Sequence, residues 1–201
     1  MFIQVVTGTI ADRAKFDEVG PRWETDVKPT AEGSLGGTVG TTADGKFFVS
    51  SRWESADAAE KNNASPAQAK WFEEFAPAVT DVEYHNCPTV ILMGSGNKDD
   101  AKFVQVMVGQ IKDRAKFEAL NDRMGEIDKV FSNWRSDVLG DVMAVCDDHQ
   151  HFYDVVYFTN EADARAAESQ EPPAEVQEIM GEMNEAADIV EYLDLKDPML
   201  S

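Results

Sequence analysis

Few side chains in this 201-residue chain are suited to chemistry. His85, beside Tyr84, is the only histidine in the first half and the one group there suited to moving a proton near neutral pH. On a strand end it could equally serve as a hydrogen-bonded structural residue. Gln4 and Gln105 interrupt otherwise apolar stretches at matching places. Such an amide is either a satisfied buried group or one that orients a substrate carbonyl. Trp53 and Trp71 fall where they would line the space between a first sheet and its helices, as core or as pocket wall. His149 and His151 adjoin Asp147-Asp148, which reads as a polar hairpin tip and only weakly as a metal site. Arg13 and Arg114 suit helix starts or ion pairs, and Trp134-Arg135 has no counterpart in the first half and no role assigned. No Ser-His-Asp order, phosphate loop, dinucleotide fingerprint or Cys-x-x-Cys is present, which disfavours nucleotide-dependent and covalent-nucleophile chemistry.

The elements that must position these residues come twice. Phe2-Ile3-Gln4-Val5-Val6-Thr7-Gly8-Thr9-Ile10-Ala11-Asp12-Arg13-Ala14-Lys15-Phe16 returns 101 residues later as the stretch Phe103 to Phe117, with ten of fifteen positions identical. The chain is therefore a tandem duplication of a small domain of roughly 100 residues. Each half is small for a self-sufficient core, so the halves are expected to pack on each other.

In the first half, Phe2 to Ile10 is a strand apolar on both faces, followed by a helical pattern over 12–28 that Gly20-Pro21 interrupts. Residues 33–42 and 46–53 form a hairpin through Asp44-Gly45, Ser55 caps the next helix, and Ser65-Pro66 restarts it with proline at a first-turn position. Thr80 to Met93 closes the half as a strand interrupted at Pro88. The second half repeats the order, with strands at 103–111, 138–146, 151–159 and 189–195 and helices from Asp113 and Asn160. The β-α-β-β-α-β order is that of a ferredoxin-like domain. The expected division is a first domain over 1–94, a small polar linker over 95–101, and a second, degenerate domain over 102–201.

A net charge of −20, from 38 acidic and 18 basic residues, repels phosphate, so neither nucleic acid nor an anionic membrane is an expected partner. Cys87 and Cys146 do not occupy equivalent repeat positions and read as free thiols, not as a disulfide. With no basic leader and no apolar run of membrane-spanning length, the chain reads as a reduced cytoplasmic protein.

Residues 47–66, Phe47-Phe48-Val49-Ser50-Ser51-Arg52-Trp53-Glu54-Ser55-Ala56-Asp57-Ala58-Ala59-Glu60-Lys61-Asn62-Asn63-Ala64-Ser65-Pro66, resemble the strand-to-helix signature of the antibiotic-biosynthesis monooxygenase family of the dimeric α/β-barrel superfamily. The second half keeps only the outline, in Tyr157 to Ala164. The resemblance implies an α+β fold of two ferredoxin-like halves, packed sheet to sheet as a pseudo-dimeric barrel within one chain. Two such chains could associate further as a homodimer. It implies a small-molecule pocket between the helices and the outer face of each sheet, and no cofactor.

The family's histidine before Ser-Pro is replaced by Asn62, with Glu168 in the second half, and asparagine is no general base or haem ligand. A haem site is accordingly not expected. On this reading the protein is an oxidoreductase acting on an aromatic or polyketide-like small molecule. His85 and Asn62 are its catalytic candidates, with Gln4, Trp53, Trp71 and Tyr84 against the substrate. The alternative is a non-catalytic module of the same fold that binds a small hydrophobic ligand or a protein partner. The second half, lacking a tryptophan near Asn160 and on its second helix, is expected to lack an equivalent site.

Overall fold

The computed structural model describes the backbone of residues 1–201 and every side chain but that of Lys196. The chain divides into two compact units, Met1–Pro88 together with Met199–Ser201, and Thr89–Pro198.

In the first unit, β1 (Phe2–Ile10) leads into α1 (Arg13–Val19), capped by the Asp12 carboxylate on the Lys15 amide. Pro21 lacks the N–H that a continuing helix needs. A 3-10 turn at Gly20–Arg22 therefore separates α1 from α2 (Trp23–Asp26). β2 (Ser34–Thr41) and β3 (Lys46–Trp53) form the hairpin, with Gly45 at φ +89 in its turn. α3 (Ala56–Asn63) starts on Ser55 and α4 (Pro66–Phe75) on Ser65, each side chain accepting an amide of the first turn. β4 (Val79–Cys87) completes the set, and the sheet runs β4-β1-β3-β2. Along β2 lies the end of the chain. Gly37 N–H donates to Ser201 O at 2.8 Å, and Ser201 N–H donates back to Gly37 O at 3.1 Å.

Pro88 ends the β4 ladder, and the next five residues serve the other unit. β5 (Thr89–Met93) pairs along its length with β7 (Val138–Val145). Between them run β6 (Phe103–Ile111), α5 (Arg114–Asp122) and α6 (Met124–Trp134). β8 (His151–Phe158), α7 (Glu161–Glu168), α8 (Ala174–Ala186) and β9 (Ala187–Leu200) follow. The second sheet runs β9-β6-β8-β7-β5, and all of its pairings are antiparallel. Each unit thus carries the β-α-β-β-α-β order of a ferredoxin-like domain in an α+β chain.

Side chains alternate across a strand, so register decides which residues can share a site. On the helix-facing side of the first sheet, Phe47, Val6, Val49 and Ile10 pack with Phe16, Val19 and Phe75. Farther along the same side, Phe2 and Trp53 pack with Ala31 and Ala59. Gly8 sits directly opposite Phe47, and Gly109 opposite Phe152 in the second sheet. In both places the ring lies flat over the bare glycine. A Cβ on Gly109 would stand 2.0 Å from Phe152 Cζ.

Candidate functional site

The first unit gathers neutral amides at one end of its helix-facing side. Gln4 Nε2–H donates to Asn86 Oδ1, directly across the ladder, at 3.1 Å, and Gln4 Oε1 accepts from Asn63 Nδ2 at 3.3 Å. The amide therefore ties β1 to both β4 and the end of α3. One residue earlier, Asn62 turns inward and is only 6% exposed. Its Nδ2 donates at 3.4 Å to Gln68 Oε1, which also accepts Trp23 Nε1–H at 2.9 Å. Trp23 in turn packs against the cluster of Phe2, Ala31, Trp53 and Ala59. Two buried polar atoms here have no partner: the Asn62 Oδ1 acceptor and the Trp53 Nε1 donor. Leaving such a group unmet costs about 1–3 kcal/mol. One spare acceptor and one spare donor thus lie beside the aromatic cluster of Phe2, Trp23 and Trp53.

The other candidates lie elsewhere. Trp71 belongs to the neighbouring cluster, stacked on Phe75 at 4.7 Å and donating to Val19 O at 3.0 Å, so it ties α4 to α1 and shares no wall with Trp53. Tyr84 faces the helix side next to Val6 but is 62% exposed on the edge strand. His85 stands opposite Val5 and hence on the other face of the sheet from Gln4 and Asn62. Its Nε2 lies 3.6 Å from Glu83 Oε2. The structure does not bring His85 to Asn62, because strand parity turns His85 away from the sheet face on which the helix bearing Asn62 packs. In the second unit, Asn160 caps α7 as Ser55 caps α3, so the repeat aligns Asn62 with Ala167 and Asn63 with Glu168. Gln105 is spent in the manner of Gln4, donating at 2.8 Å to Asp194 across the ladder. Asp194 is also held by Arg165, whose guanidinium lies over the Phe103 ring. Arg135 acquires a part as well: it grips Asp137 with two hydrogen bonds, at 2.9 and 2.7 Å, and lies over the rings of Trp134 and Phe158.

Two residues that the sequence reading passed over are the most unusual polar groups in the chain. Asp154 on β8 is 7% exposed and faces Met107 and Met143 across its two ladders. Asp141 on β7 faces Val156, which makes it the diagonal neighbour of Asp154 on the same, helix-facing side. One apolar cluster, containing Phe117, Ile127, Met143 and Phe152, lies on one side of the pair, and another, containing Phe103, Val156 and Phe158, on the other. Each aspartate has an Oδ1 with no partner. Burial first, and then repulsion by Asp154 and Asp128, pushes the Asp141 carboxyl up to about 9, against opposing help from Lys98 and the Met93 amide. Burial pushes Asp154 up to about 7. The pair therefore retains protons near neutrality and presents a carboxyl and a nascent carboxylate side by side. The signal was there to be read: one aspartate inside each of two apolar strands.

No family profile and no curated protein matches the chain. Solved structures do. A candidate monooxygenase from Lactobacillus acidophilus NCFM superposes with a TM-score of 0.70 over 100% of this chain and 98% of its own, at 14% identity. An anthrone oxidase-like protein gives 0.69 over 99% and 92%, at 11% identity. A candidate monooxygenase from Fusobacterium nucleatum gives 0.70 over 97% and 91%, at 9% identity. Among the described residues no helix is long and apolar enough to cross a membrane. The likeness spans both units, and the chain has the full-length, two-unit α+β fold of these monooxygenase-like proteins.

Proposed function

We propose that the protein is a monooxygenase-like oxidoreductase that takes a small aromatic or polyketide-like molecule and needs no cofactor. The observation that carries this reading is the aromatic compartment of the first unit with its two unmet polar atoms, Asn62 Oδ1 and Trp53 Nε1. Trp53 forms the wall, Asn62 accepts from a ring hydroxyl, and the Gln4–Asn63–Asn86 amides hold the polar edge. The same fold in proteins described as monooxygenases and as anthrone oxidase-like supports the reaction class. His85 is not given the proton-transfer role on this reading, because it lies on the opposite sheet face.

That placement favours a second reading, in which the compartment binds its ligand and does no chemistry. Oxygen uptake on a panel of anthrones and quinols separates the two. The enzyme reading expects turnover by the parent and a loss of about a hundredfold or more in Asn62→Ala, since a positioned polar group at the reacting centre is worth that much. Quenching of tryptophan fluorescence by the same compounds, with oxygen uptake at background, would leave the binding reading standing and remove the oxidase.

A further inference from the structure

We infer that Asp141 and Asp154 form a proton-accepting site in the second unit, which takes an uncharged aromatic ketone or phenol and removes its weakly acidic proton.

The first argument is internal to the chain. By the repeated ladder, Asp154 occupies the place of Val49 and Asp141 that of Gly37. The first unit builds the same sheet with an apolar side chain and a glycine there, so the fold itself does not require carboxyls. Carboxyls set into an apolar layer are costly, and a pair that the sister unit does without points to use.

The second argument is the unmet chemistry. The Asp154 side chain is more than nine-tenths buried and faces the layer between sheet and helices, yet its Oδ1 has no partner, and neither does that of Asp141. No arginine or lysine is paired with either carboxyl among the described residues. Asp128 on α6 is near enough to repel the Asp141 carboxylate but is partly occupied, accepting from the Gly94 amide at 3.0 Å and Ser132 Oγ at 3.3 Å. Lys98 lies at the rim, its Nζ 2.8 Å from where a Cβ on Gly140 would be. The Met93 amide is the remaining polar group at Asp141.

The surroundings select the ligand. Met107 and Met143 beside Asp154, with Phe152 and Phe103 farther along the same face, offer apolar, polarisable walls suited to a flat ring. An apolar layer that keeps even its own carboxyls protonated disfavours anions, so the ligand enters neutral and becomes charged only by losing a proton. In the step itself a carboxylate oxygen of the pair takes the proton from a carbon conjugated with the carbonyl, in anthrone the methylene across the central ring from it. The electron pair of that C–H bond moves to the carbonyl oxygen as an enolate. The neighbouring protonated carboxyl stabilises the enolate by donating a hydrogen bond. Reversal returns a proton to the same carbon, so no oxidant is consumed.

Deuterium exchange under argon tests this without oxygen. Failure here would bear on the carboxyl pair alone, and oxygen uptake separately on the proposed oxidation. With anthrone as the probe in D2O, the protein is expected to speed loss of the methylene proton signal about a hundredfold over buffer, the usual yield of a positioned general base. Asp154→Asn and Asp141→Asn should each return exchange to within a few-fold of buffer. The parent rate should rise with pH through the titration of the pair, with Asp128 and Lys98 shifting its midpoint in opposite directions. If Asp154→Asn does not fold, Met107→Trp puts a bulkier side chain directly across the ladder from Asp154, leaves both carboxyls in the chain, and should block exchange as completely. Exchange at the buffer rate in the parent, or at the parental rate in the folded aspartate variants, would overturn the assignment.

Discussion

Replacing both buried carboxyls, in Asp141→Asn with Asp154→Asn, should make the protein more stable at neutral pH and leave it nearly unchanged near pH 4. In the native chain these carboxyls hold protons up to about 9 and about 7, whereas an aspartate in the unfolded chain releases its proton near 4. Between those values unfolding releases protons, so stability is greatest at low pH and is lost as pH rises toward the folded values. Each retained proton costs about 1.4 kcal/mol per pH unit, so the two held by the pair together remove about 5 kcal/mol between pH 5 and pH 7. Asparagine carries no proton to lose. Urea titrations at constant ionic strength at pH 5, 6, 7 and 8 should therefore show the gap between variant and parent widening with pH. A gap that stays flat to within about 0.5 kcal/mol across that range, the scatter of ordinary surface changes, would refute the buried protonated pair.

Three further tests concern the scaffold. Gly109→Ala places a methyl against the buried Phe152 ring and should cost about 1–3 kcal/mol by overpacking, read by thermal or urea unfolding. Gly125→Ala, on α6 with nothing within 4 Å of the new Cβ, should instead stabilise by about 1 kcal/mol from helix propensity alone. Asn160→Ala removes the cap that accepts the Asp163 amide at 2.9 Å and should cost about 1 kcal/mol in the same assay.

Much of the fold was legible because its signals are local. Asp12, Ser55, Ser65, Asp113 and Asn160 each cap the helix expected of them, since capping depends only on a side chain and the amide three residues on. Pro88 was visible as a break, but nothing near it says that β5 pairs with β7. The site was harder to read because it depends on parity across strands. The β1–β4 ladder slips by one residue between Thr7 and Thr9, near Asp81 at φ +53, and the same slip recurs at Val108/Gly109 in the second unit. A one-residue slip sends every later side chain to the opposite face, so the face that His85 takes cannot be counted from one strand alone, and the meeting of Asp141 with Asp154 is set by the separate β7–β8 register. Gln4 and Gln105 were correctly found as a matched pair, and the structure shows both reaching the residue across the ladder.

The partner that closes the open side of β2 lies 164 residues away, Ser201 against Gly37. On a ribosome, the first unit would emerge early with that side of its sheet bare, and an uncovered strand is a template for unwanted pairing. It could be sealed only after 164 more residues had been made, against a loop-closure entropy that grows with the logarithm of the intervening length. A part of the chain made early would thus be completed by a part made much later, and through that interval this side of the first sheet would stand unprotected.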